Sequence, residues 1–208
     1  MKKSLYAFGV IAAAAALSLT QSGGAIAKET TNAATVGDEN KDPKTNKSTV
    51  SQADKDFVKD AALGSMTEVK LGKLATTKSK NNDVKSFGQK MVEDHGKLGE
   101  SLTKTLKGKG INVPAQLDKD HQSTYDKFNK MDANSFDKAY IDQMIDDHKK
   151  DVSLFDKEAN EGSDPDLKSF ASTNLPMLKE HLTTAQNIRD KMDNMKPSSG
   201  GTEGPSSK

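Results

Sequence analysis

SFDKAYIDQMIDDHKKDVSLFDKEA, Ser135 to Ala159, places Phe136, Tyr140, Met144, His148, Val152, Phe155 and Ala159 at steps of three and four. That spacing stacks all seven on one face of an α-helix. The face is apolar except at His148. A near echo lies upstream in MVEDHGK, Met91 to Lys97, where a methionine again precedes a histidine by four residues and an acid precedes it directly. Are these histidines ligands, catalysts or filling?

Outward from this segment the same period continues. A first helix is expected from Ser51, where SQAD supplies a capping serine with an acid three residues on. Its stripe is Phe57, Ala61, Gly64, Glu68, Leu71 and Ala75, ending near Lys78. A second should open after Asn82 along Val84, Phe87, Met91, His95, Leu98, Leu102 and Leu106, and stop at Gly108 and Gly110. A shorter helix from about Asp118 to Met131 adds cover. The last begins with Asp164 as cap and Pro165 at the first helical position, and Pro176 is expected to kink or break it. No segment alternates with period two for long, so no strand is expected. The fold class is all-α: four long amphipathic helices in a bundle over residues 51–195, with one short connecting helix.

The ends read differently. Residues 1–27 have a basic start, an apolar run from Leu5 to Leu19 and the small-x-small sequence Ala25-Ile26-Ala27, the pattern of a cleaved secretory signal. Cleavage after Ala27 would leave 181 residues with no transmembrane span, and would put the protein outside the cytoplasm, in the periplasm or cell envelope. Residues 28–50 and 196–208 are rich in Thr, Asn, Ser, Gly and Pro, with no apolar period to offset their ordering entropy, and are expected to be disordered. The chain has no cysteine, so no disulfide supports the fold. Basic and acidic residues number 31 and 30 and are interspersed, which argues against nucleic acid or an anionic membrane as a partner and leaves the partner unassigned, an envelope protein being one option.

Side by side, the four stripes each carry one polar residue: Glu68, His95, His148 and His181. Burying such groups without a partner costs several kcal/mol, so they should meet one another, meet water or hold an ion. Three imidazoles and a carboxylate suit zinc, copper or iron. Met91, Met144 and Met177 each stand one turn before a histidine, and thioethers beside imidazole would favour copper(I), although a methionine at a stripe position also serves as plain core filling. Adjacent helical residues point about 100° apart, so Asp94, Asp147 and Glu180 are expected to reach, if anything, a neighbouring helix. His121 is expected at the surface. There is no nucleophile elbow and no glycine-rich phosphate loop, so no catalytic residues are assigned.

MVEDHGK, FDKAYIDQMIDDHKKDVSLF and LKSFASTNLPMLKEHLTTAQ together resemble the DUF4142 family, exported bacterial domains of unknown function, over about Asp54 to Met192. The resemblance implies a ferritin-like bundle and an envelope location, and no reaction. Ferritin-like di-iron centres use Glu-x-x-His on two helices, whereas Val92, Ile145 and Leu178 stand three before the histidines, which argues against a di-iron oxidase. Two readings follow: an exported bundle binding one transition-metal ion for metal handling or stress protection, or a metal-free structural or interaction protein whose polar layer fixes helix register.

Overall fold

The computed structural model describes residues 50–194. The expected signal peptide, the linker up to residue 49 and the tail over 196–208 lie outside the described residues. Five helices follow in order: α1 (Gln52–Lys78), α2 (Asn82–Thr105), α3 (Lys119–Lys130), α4 (Ala133–Glu161) and α5 (Pro165–Asn194).

Each start has a side-chain cap that satisfies amide donors the helix itself cannot. Ser51 and Asp54 form the expected capping box, with Asp54 N donating to Ser51 Oγ at 3.0 Å and Ser51 N to Asp54 Oδ2 at 2.8 Å. Asn81, Asp118, Asp132 and Asp164 cap the other four. Beyond α2, Gly108 and Gly110 take φ of +80° and +69°, the left-handed conformation that turns the chain out of a helix at little cost to glycine.

Three-residue loops join α1 to α2 and α4 to α5, making two antiparallel hairpins. Two apolar clusters fix how the hairpins meet. One gathers Phe57, Val58, Leu98, Leu102, Phe155 and Leu167 from the start of α1, the end of α2, the end of α4 and the start of α5. The other gathers Leu71, Val84, Phe87, Phe136, Tyr140 and Ile188 from the opposite ends of the same helices. Therefore α2 and α4 run parallel, and residues 106–132 must carry the chain from one end of the bundle to the other. This single long crossover is the ferritin-like arrangement. It holds α3, which packs on α1 and sets Phe128 into the second cluster.

Helices α1 and α2 approach closely at Gly72 and Gly88. A Cβ on Gly72 would fall 2.6 Å from the Gly88 carbonyl oxygen, and one on Gly88 would fall 2.7 Å from the Ala75 Cβ. The expected break at Pro176 does not occur, since α5 runs unbroken from 165 to 194. Pro176 and Ser172 both face solvent, so water can take the Ser172 carbonyl that the proline leaves unbonded.

Candidate metal centre

On every long helix the odd polar residue falls between the two apolar clusters: Glu68 between Ala62 and Leu71, His95 between Met91 and Leu98, His148 between Met144 and Phe155, His181 between Leu178 and Ala185. They form one layer across the waist of the bundle. The three imidazoles are 1%, 0% and 0% exposed and Glu68 is 1% exposed.

His148 Nε2 lies 3.4 Å from His95 Nε2 and 3.3 Å from His181 Nδ1, and each of the three rings can offer one nitrogen within 4.8 Å of the other two. A tetrahedral ion with metal to nitrogen bonds of about 2.0 to 2.1 Å separates its ligand nitrogens by about 3.3 to 3.4 Å. The two short separations match that edge.

The outer nitrogens fix the protons. His148 Nδ1 lies 2.9 Å from the Met144 carbonyl oxygen, which can only accept, so Nδ1 carries the hydrogen and Nε2 a bare lone pair. His181 Nε2 donates to Asp94 Oδ2 at 3.0 Å, leaving Nδ1 bare as well. Two lone pairs thus face each other across 3.3 Å. Lys90 also donates to Asp94 Oδ2 at 3.0 Å; burial favours the neutral acid, but the bonds from Lys90 and His181 outweigh it and hold Asp94 below the usual range. Asp94 therefore orients a histidine on a neighbouring helix, as the geometry of its Asp-His pair requires.

A proton between the lone pairs is disfavoured. Burial, aided by the His95 charge, lowers His181 to about 4, and burial lowers His95 to about 4 against the pull of Asp151 and Asp94. Burial also lowers His148, against the pull of Glu68. At neutral pH the layer holds three uncharged rings.

Glu68 sits on the outer side of this trio. Its Oε2 is 2.8 Å from His95 Nδ1 and its Oε1 is 3.3 Å from His148 Nδ1, the nitrogens turned away from the point of convergence. Neither contact is aligned as a hydrogen bond, so both oxygens and His95 Nδ1 are buried without one. Burial pushes Glu68 up to about 7, His148 opposing. Met91 and Met144 are fully buried in the second apolar cluster, and Met177 packs against the first. Asp147 bonds Gln143 and Lys150, and Glu180 is mostly exposed beside Lys90. His121 is partly exposed and bound to Asp118 at 2.7 Å.

Two members of the site escaped the sequence reading. Asp151 lies within hydrogen-bond reach of Glu68, and burial, with Glu68 next, raises it well above the usual range. Its signal was its position three residues after His148, on the same helix face. The second, the Met144 carbonyl, leaves no trace in residue identity.

A buried histidine trio across the waist of a ferritin-like bundle defines a helical-bundle protein with a candidate transition-metal centre. The chain belongs to the family described as Domain of unknown function (DUF4142), which matches residues 39–188. Among solved structures it is similar to a DUF305 fragment from Deinococcus radiodurans, at 11% identity and a TM-score of 0.60, covering 68% of this chain and 98% of that one. At that identity the likeness concerns the fold. No curated protein matches the chain. Among the described residues no helix is long and apolar enough to cross a membrane.

Proposed function

We propose that this is an exported helical-bundle protein that binds one zinc or copper ion through His95 Nε2, His148 Nε2 and His181 Nδ1, for metal handling in the cell envelope. The observation that carries the reading is the pair of lone pairs held 3.3 Å apart by the Met144 carbonyl and Asp94, an arrangement that repels until a cation enters. Export rests on the signal pattern of residues 1–27. Non-haem iron usually takes a carboxylate directly beside two histidines, and Glu68 faces the wrong nitrogens for that, which favours zinc or copper over iron. In this reading Met91 and Met144 remain the apolar wall one turn away. The imidazoles are shut off from solvent, so the centre suits holding an ion better than turning over a substrate.

The test is metal analysis and calorimetric titration of the full chain with Zn²⁺ and Cu²⁺. One equivalent should bind, and His148→Ala with His181→Ala should weaken binding by at least about a hundredfold, the most that losing an outer partner of a ligand typically costs. Equal binding by that double variant overturns the assignment. No binding by the wild type leaves the polar layer as a device for helix register.

A further inference from the structure

The waist has two outward sides, and they are differently built. On the α2 and α5 side, the Lys90 ammonium lies 3.0 Å from Asp94 and 3.4 Å from Glu180, closing the approach to His181 with a positive group. On the other side a pocket of about 780 Å³ opens between α1, α3 and α4, with Glu68, Asp147 and Asp151 in its wall. Lys149 and Lys150 stand at its rim, exposed and turned toward Asp146 and Asp147, and Lys157 is also exposed there.

Glu68 is the wall shared by this pocket and the histidine layer. Glu68 is 1% exposed, and its two buried oxygens touch the outer nitrogens of His95 and His148 without an aligned hydrogen bond to either. Asp151 lies against it within hydrogen-bond reach, so two carboxylates meet at the wall shared with the pocket. Two carboxylates at one point hold either a shared proton or a cation between them.

Gly64 explains how the pair stays reachable. A glycine inside a helix costs about 1 kcal/mol relative to alanine, and here no crowding demands it. A Cβ at Gly64 would meet a single neighbour, Asp151 Oδ1 at 3.6 Å, an ordinary contact. Any longer side chain would extend over the pocket and cover that carboxylate.

We propose that this pocket beside Gly64 is the route by which a divalent cation reaches the imidazoles, Asp151 and Glu68 taking it over from water and passing it to His95 and His148. The inference rests on the metal reading above and adds the path. Carboxylates lining a cleft raise the local cation concentration and the association rate by about ten- to a thousandfold. Exchange through carboxylate oxygens replaces waters one at a time, so the ion is not stripped in a single costly step. The same path serves release.

The experiment loads the full chain with Zn²⁺ alone in a stopped-flow apparatus, follows it with a fluorescent indicator, and then measures release to a strong chelator. Gly64→Leu, a favourable helix residue placed in open space, should slow loading and release together by about tenfold while one ion still binds at equilibrium. Asp151→Asn should slow loading by about tenfold. Glu180→Gln, which removes a carboxylate from the opposite side, should change neither rate. Wild-type loading rates in both Gly64→Leu and Asp151→Asn, or slowed loading in Glu180→Gln, overturn the route while the metal site stands. A wild type that takes up no ion overturns the site itself and the route with it.

Discussion

Where α5 begins, at one end of the bundle, Asp54 and Asp164 are as deeply buried as the histidines halfway along it, each 0% exposed. Both oxygens of each of these two acids have a donor, whereas Glu158 beside them, 5% exposed, keeps Oε1 buried without one. Asp54 accepts from Ser51 N and Ser163 N at 2.8 Å each, and Asp164 accepts from Asp166 N, Leu167 N and the Lys109 ammonium. These bonds hold both acids below the usual carboxylate range despite burial. At the waist, lone pair faces lone pair and carboxylate faces carboxylate. Burial is therefore common to both clusters, and the imidazoles separate them: at the end Asp54 and Asp164 join the hairpins through amide and ammonium donors, and at the waist two bare ring nitrogens face each other with no donor between them.

The contrast can be broken most directly at Asp164. Asp164→Ala removes the α5 cap and leaves Lys109, 16% exposed, with only Asp166, and should cost about 3 kcal/mol in urea unfolding while Zn²⁺ affinity is unchanged. Next in size, Zn²⁺ at a hundred times its dissociation constant should stabilise the wild type by about 2.7 kcal/mol, and calorimetry should show the melting temperature rising with concentration. His148→Leu with His181→Leu should abolish that gain yet raise the stability of the ion-free protein by about 1 to 2 kcal/mol, the opposite sign to Asp164→Ala, because an unpaired polar pair gives way to packing.

Acid sharpens the comparison further. The folded value of His181, about 4, lies below the 6.5 of an unperturbed imidazole, so the unfolded chain takes up the proton first. Its contribution is present above 6.5 and lost as pH falls toward 4. The stability advantage of the double leucine variant over the ion-free wild type should accordingly widen from pH 7 to pH 4. Asp54 and Asp164, lowered from 3.8, should weaken the end cluster only below that pH. Smallest of all, Met91→Leu and Met144→Leu should each change stability by less than about 1.5 kcal/mol, with Zn²⁺ affinity within about threefold. A larger loss of affinity would bring the thioethers into the site.

The helices were legible because each stripe is long and each start carries a capping residue, as Ser51 and Asp164 illustrate. The histidine layer was legible for a related reason: a polar residue on an apolar stripe stands out against its period. What periodicity does not encode is rotation at the level of atoms. Both oxygens of Glu68 turn to the outer ring nitrogens, a choice set by tertiary packing, and Asp151 reads as one more acid on a charged helix until α1 is laid beside it. The unbroken path of α5 past Pro176 had the same origin, since the exposure of that turn depends on its neighbours.

The crossover gives the waist an unusual standing in the assembly of the molecule. One hairpin brings Glu68, Asp94 and His95, the other brings His148 and His181, and only the strand of chain from 106 to 132 links them covalently. An ion seated there acts as a rivet between two half-molecules. Were the chain nicked in that linker, such an ion would do more than stiffen the fold: it would hold the halves together.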